Sequence, residues 1–286
     1  MLIKTNKYSK NMEKLNQLYN EYDFNFTDES VAEAVKEIIA KNFDKYNNVE
    51  VWKQCFNQID LTSLNSTDTE DKIGGMMERV NEFKEKYPEM PNVAAVCVYP
   101  ALVPVTKATL ETEGVNIAAV SACFPSSQTF IEAKVAEVAL TAMTGANEID
   151  VVISVGKFFS GFHTEVYDEL REIKDACHGA HLKVILESGL LHNTKEIKQA
   201  SLLAMAAGAD FIKTSTGKTE RSATLEAAYV MCQAIKEYYE KEQETRHPHY
   251  RIPGLRQDHP LEQHPQTGKT KSRPYRQRHG QHQRRC

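Results

Sequence analysis

The chain has 286 residues, 41% of them hydrophobic and 26% charged, with a formal net charge of -4, which is enough for one large α/β domain or two smaller ones. That balance gives no reason to expect nucleic-acid or membrane binding by the bulk of the molecule. Six cysteines, at 55, 97, 123, 177, 232 and 286, form no CxxC and no close pair, which reads as reduced thiols and, with the polar stretch 1–8, predicts a soluble cytoplasmic protein.

In chain order, residues 1–48 are expected to form an N-terminal helical extension. Short apolar runs then alternate with longer amphipathic ones. Strands are predicted near 56–61, 93–99, 117–122, 148–154, 182–187 and 210–214, and helices near 72–86, 128–143, 165–177, 195–207 and 225–241. Most of the strand runs are rich in Val and Ile and lack strict alternation, as expected of a parallel sheet covered on both faces. In the fourth helix Ile197, Leu202, Ala204 and Ala207 fall on one face, Asn193 or Thr194 offers an N-cap, and Gly208 offers a stop. Repeated strand–helix units predict a (β/α)₈ TIM barrel or a doubly wound sheet. The polar signals recur at strand ends, in Asp60-Leu61-Thr62, Cys97-Val98-Tyr99-Pro100, Glu187-Ser188-Gly189 and Thr214–Gly217. A barrel gathers such residues at one face, and no GxGxxG follows the first strand, so the barrel is favoured.

Within Asp210–Lys218, Lys213 stands among β-forming residues just before a turn rich in hydroxyls and glycine. A lysine in such a strand either snorkels its ammonium to water or uses its amine chemically. Desolvation or a nearby cation lowers an amine's pKa and makes it a nucleophile toward carbonyl carbon, which suggests a Schiff base. Thr214, Ser215, Thr216, Gly217 and Lys218 add hydroxyls, backbone N–H groups and a cation suited to a phosphate. In the strand at 148–154, Glu148 and Asp150 point to one side, because side chains alternate with period two. Asp150 can meet Lys183 or Lys213, either as a proton shuttle for an imine or as a structural ion pair. Cys97 reads equally well as a small buried hydrophobe, and His163, His178, His181 and His192 show no zinc-ligand spacing.

Five segments together resemble the deoxyribose-phosphate aldolase family: 59–65 (IDLTSLN), 94–100 (AAVCVYP), 148–153 (EIDVVI), 182–189 (LKVILESG) and 208–218 (GADFIKTSTGK). The resemblance spans about residues 50 to 240. It implies a (β/α)₈ barrel and reversible cleavage of 2-deoxy-D-ribose 5-phosphate, a small phosphorylated sugar, without metal or organic cofactor. It implies Lys213 as the Schiff-base lysine and Asp150 as the proton-relay aspartate. Asp60, Cys97, Lys183, Thr216, Gly217 and Lys218 are implied as substrate-binding positions. Among class I aldolases, the order of the segments fits this family better than transaldolase.

The family pattern continues with a seventh strand of the form Gly-Phe-Lys-Pro-Ala-Gly-Gly and an eighth ending in a phosphate loop. Neither motif occurs here, so the expectation is an aldolase barrel over 49–245 that stops after its sixth βα unit. Residues 246–286 carry ten Lys or Arg against Asp258 and Glu262, hence +8, leaving -12 for the rest. Rich in Arg, Pro, His and Gln and without strand period, this tail reads as the product of a shifted reading frame or as a disordered basic arm for nucleic acid or acidic partners. Loss of the second lysine also raises the alternative of a catalytically impaired pseudoenzyme or binding partner.

Overall fold

A computed structural model describes residues 11–245 apart from Lys14; the expectations for residues 1–10 and for the basic tail 246–286 lie outside the described residues. Before the barrel come α1 (Asp28–Tyr46) and α2 (Val49–Phe56). Helix α1 starts at a capping box in which Ser30 N–H donates to Thr27 Oγ1 at 3.2 Å and Thr27 N–H donates to Ser30 Oγ at 2.9 Å, satisfying two otherwise orphaned donors. The segment ahead of it is fastened by Lys198, whose buried ammonium donates to the Asp23 carbonyl at 2.7 Å and to both Glu237 carboxylate oxygens at 2.7 and 2.9 Å. The rings of Phe24 and Phe26 lie over the same ammonium.

Six strands follow, β1 (Asp60–Thr62), β2 (Ala95–Val98), β3 (Asn116–Val120), β4 (Glu148–Val152), β5 (His181–Ile185) and β6 (Phe211–Lys213). Every neighbouring pair is parallel, and the order in the sheet is the order in sequence. The connections carry α3 (Glu70–Lys86), α4 (Val103–Thr109), α5 (Ile131–Thr144), α6 (Val155–Phe159), α7 (His163–Ala176) and α8 (Thr194–Ala206), and α9 (Leu225–Thr245) follows β6. This is the winding of a (β/α) barrel through its sixth unit.

Alternating side chains build two layers. Val96, Val98, Ile117, Ala119, Ile149, Val151, Leu182 and Val184 face the helices in one large apolar cluster. On the inner face Ala95, Cys97, Ala118 and Val120 form a smaller cluster with Leu64, beside the buried charges Glu148, Asp150 and Lys183. Strands β2 to β5 are covered on both faces and read as nearly continuous apolar runs, whereas the outer strands β1 and β6 are only partly buried.

The predicted first strand is corrected. Residues up to Phe56 belong to α2, whose N-terminus is capped when Asn48 Oδ1 accepts from Val51 N–H at 3.1 Å, and extended pairing begins only at Asp60. The apolar pair at 51–52 and Phe56 lie one helical turn apart, a period that the short run concealed. The second helix also starts later than predicted, at Ile131. For the fourth, Asn193 rather than Thr194 is the cap, accepting from Glu196 N–H at 3.0 Å, and Gly208 follows the helix at φ +103°.

Candidate active site

Sheet curvature carries side chains from β1, β4, β5 and β6 into one interior cluster. The register sets Asp150 beside Lys183 and Ile185 beside Lys213, so Lys183 points inward from the middle of β5 and Lys213 from the next inward position, at the C-terminal end of β6. Lys213 Nζ donates to Asp150 Oδ2 and lies 3.3 Å from Asp60 Oδ2. Lys183 Nζ donates to the same Asp60 oxygen at 2.6 Å and to Glu148 Oε2 at 2.5 Å. Asp60 comes from the first strand and both lysines from the last two, so these bonds cross the interior. Asp150, expected to meet Lys183 or Lys213, pairs with Lys213.

Three carboxylates thus face two ammonium groups, and negative charge is in excess. Burial alone would lower the Lys213 pKa, but Asp150, Cys97 and Asp60 outweigh it, and the ammonium is held above its ordinary range. The sequence suggested a depressed amine; the carboxylates around it reverse the sign. Burial also pushes Asp150 up, against the opposing pull of Lys213 and Lys183. For Asp60 burial acts upward, yet Lys183 and Lys213 hold it below the usual carboxylate range. Burial and then the Asp150 charge push the Cys97 thiol up to about 12, so it lines the interior as a neutral side chain.

Only Oδ2 of Asp150 bonds Lys213; Oδ1 is buried without a hydrogen-bond partner among the described residues. A carboxylate with one oxygen on the amine and a second acceptor without a partner has the capacity to take up a proton from a neighbouring group. Lys183 has the opposite character, since both its bonds go to buried or nearly buried carboxylates. Lys183→Met leaves Glu148 without its cation and Asp60 with Lys213 alone, and is expected to cost about 3–5 kcal/mol of stability. Urea unfolding would show this as a lowered midpoint at constant slope.

Beyond β6 the chain turns through Thr214–Lys218. Gly217 adopts φ +71° with open space beside its Cα, a conformation that favours glycine. Thr216, expected to bind substrate, gives both its N–H (3.2 Å) and its hydroxyl (2.5 Å) to Glu187. The Lys218 ammonium donates to the Leu64 carbonyl, tying the turn to the segment after β1. Ser188 Oγ and Ser215 Oγ are buried and lack a partner among the described residues. The sequence marks Glu187-Ser188-Gly189 among the signals at strand ends but assigns neither Glu187 nor Ser188 a specific role, although a carboxylate ending an apolar strand signals that a partner is needed.

The profile of the DeoC/LacD family aldolases matches residues 55–240, the stretch that carries all six strands. A Caenorhabditis elegans protein provisionally named deoxyribose-phosphate aldolase is 38% identical over 219 residues, covering 75% of this chain and 71% of that one. The human deoxyribose-phosphate aldolase is 40% identical over 198 residues, 64% of this chain, and the match spans 61% of the human protein's length. The solved structure of QR15, an aldolase, superposes with a TM-score of 0.57 at 32% identity, covering 63% of this chain and 76% of that one. With the barrel winding and the interior lysine–carboxylate cluster, these matches establish that the chain belongs to the DeoC/LacD family of aldolases.

Proposed function

We propose that the chain cleaves 2-deoxy-D-ribose 5-phosphate reversibly to acetaldehyde and D-glyceraldehyde 3-phosphate through a Schiff base on Lys213. The observation that carries this reading is the Lys213–Asp150 pair, with the Asp150 Oδ1 acceptor free and the hydroxyl-rich turn directly downstream. The names of the worm and human relatives point to the same reaction.

The chemistry follows from the pair. In the resting state the proton sits on Lys213, and its transfer to Asp150, whose own pKa burial raises, yields a neutral amine without exchange with water. The amine adds to the C1 aldehyde of the open-chain sugar, and loss of water gives an iminium. Asp150, again a carboxylate, takes the proton of the C3 hydroxyl. The C2–C3 bond breaks, its electrons pass into the C1–C2 enamine, and C3 leaves as the aldehyde of glyceraldehyde 3-phosphate. Protonation at C2 and hydrolysis release acetaldehyde and return the amine.

The phosphate belongs at the turn, where Gly217 leaves its backbone open and successive residues offer backbone N–H groups. Residues 214–218 are the part of the site best suited to an anion. The test is direct: full-length protein mixed with 2-deoxyribose 5-phosphate should release acetaldehyde and glyceraldehyde 3-phosphate in equal amounts. Folded protein that yields neither is a pseudoenzyme, and the proposal fails.

A further inference from the structure

Glu187 is 2% exposed, and the hydrogen bonds its carboxylate accepts among the described residues come from the turn that follows β6. Thr216 N–H reaches Oε1 at 3.2 Å, Thr216 Oγ1 reaches Oε2 at 2.5 Å, and Thr219 Oγ1 reaches Oε1 at 3.3 Å. The residue sits at φ +52°, a left-handed conformation uncommon outside glycine, which persists where surroundings over-determine it. A buried carboxylate must be hydrogen-bonded, so moving the turn away from Glu187 is costly.

The neighbours of Glu187 reinforce this contact. Ser188 N–H donates to the Thr214 carbonyl at 2.8 Å. A Cβ on Gly189 would stand 2.0 Å from the Arg221 carbonyl oxygen, so only glycine lets the downstream loop lie this close. Thr219 Oγ1 also lies 3.0 Å from that same Arg221 carbonyl oxygen, so its single proton is shared between Glu187 and Arg221.

We propose that Glu187 is the positioning residue of the substrate's phosphate site. By taking both donors of Thr216, it fixes the turn so that the open backbone at Gly217 faces the phosphate, while Thr216 serves Glu187 and not the ligand. The assignment rests on the reading that residues 214–218 hold the substrate phosphate. Two physical effects oppose each other here, which makes the assignment testable. A carboxylate close to an anion site repels the ligand, so a bystander Glu187 would weaken phosphate binding and its neutralisation would strengthen it. A positioning Glu187 predicts the reverse.

The experiment titrates full-length protein with inorganic phosphate by calorimetry. Glu187→Gln puts an amide donor where Thr216 needs an acceptor, and it is expected to weaken phosphate binding about tenfold. The preference for 2-deoxyribose 5-phosphate over unphosphorylated 2-deoxyribose, read as the ratio of kcat/KM, should fall by about the same factor. Thr216→Val, which keeps the side chain's shape, supplies a second variant if Glu187→Gln does not fold. Where both fold, the double variant should bind phosphate no worse than Glu187→Gln alone, because the two act through one contact. Unchanged or tighter phosphate binding in Glu187→Gln, or additive losses in the double variant, overturns the assignment. Wild-type protein that binds phosphate yet cleaves no sugar phosphate overturns the proposed reaction and leaves the Glu187 assignment standing.

Discussion

Lys213→Ala is expected to lower kcat/KM for cleavage of 2-deoxyribose 5-phosphate by about 10⁴-fold or more, as when a covalent nucleophile is removed. Among the described residues no other amine offers the same geometry. Lys183 is the nearest interior lysine, but its ammonium is locked between Asp60 and Glu148. The variant should still fold, because the Lys213 side chain is 27% exposed. Asp150, left without its partner in a buried setting, can take up a proton. Steady-state kinetics with a thermal-unfolding control separates loss of chemistry from loss of structure. Folded Lys213→Ala retaining activity within tenfold of wild type would mean that the substrate carbonyl is activated elsewhere.

Asp150→Asn should divide the reaction in two. The amide fills the same space but accepts a proton far less readily, so C2–C3 cleavage is expected to fall by about 10²–10⁴-fold. Imine formation with acetaldehyde needs no proton from a C3 hydroxyl and should persist. Its pH dependence should change as well. In the wild type Lys213 and Asp150 hold one proton between them, and moving it within the pair leaves the total unchanged. Imine formation should therefore be nearly flat through neutral pH. An acid limb should appear above the ordinary aspartate value, because burial raises Asp150, and an alkaline limb above the ordinary lysine value of 10.5, because the carboxylates raise Lys213. In Asp150→Asn the amine must lose its proton to water, and the rate should climb about tenfold per pH unit across the same range. Stopped-flow measurement of imine formation distinguishes the two profiles, and equal profiles would remove Asp150 from the proton pathway.

Much of this site was legible in the sequence because the barrel converts strand order into proximity. Period-two alternation placed Glu148 and Asp150 on one side, and the succession of strands made Lys213 a reachable partner. What period and order could not supply was the sharing of charges. Lys183 is bound to Asp60 and Glu148, and Asp60 lies 123 residues away, so this contact depends on how strongly the sheet curves. The direction of the Lys213 pKa depended in turn on how many carboxylates that curvature gathers. The segment at Glu187 stood out as a polar strand end, but its partner Thr216 did not, since a left-handed backbone at φ +52° and the contact with the next loop are local events without a hydrophobic signature. The helix ending at Phe56 was lost because a short apolar run carries no decisive period.

The central claim is that Lys213 forms an imine, and borohydride reduction in the presence of acetaldehyde tests it most directly. Reduction should fix one ethyl group on wild-type protein, located by peptide mass spectrometry at Lys213, and none at that peptide in Lys213→Ala. An adduct that forms equally in both proteins, or none on folded wild-type protein, would contradict the account.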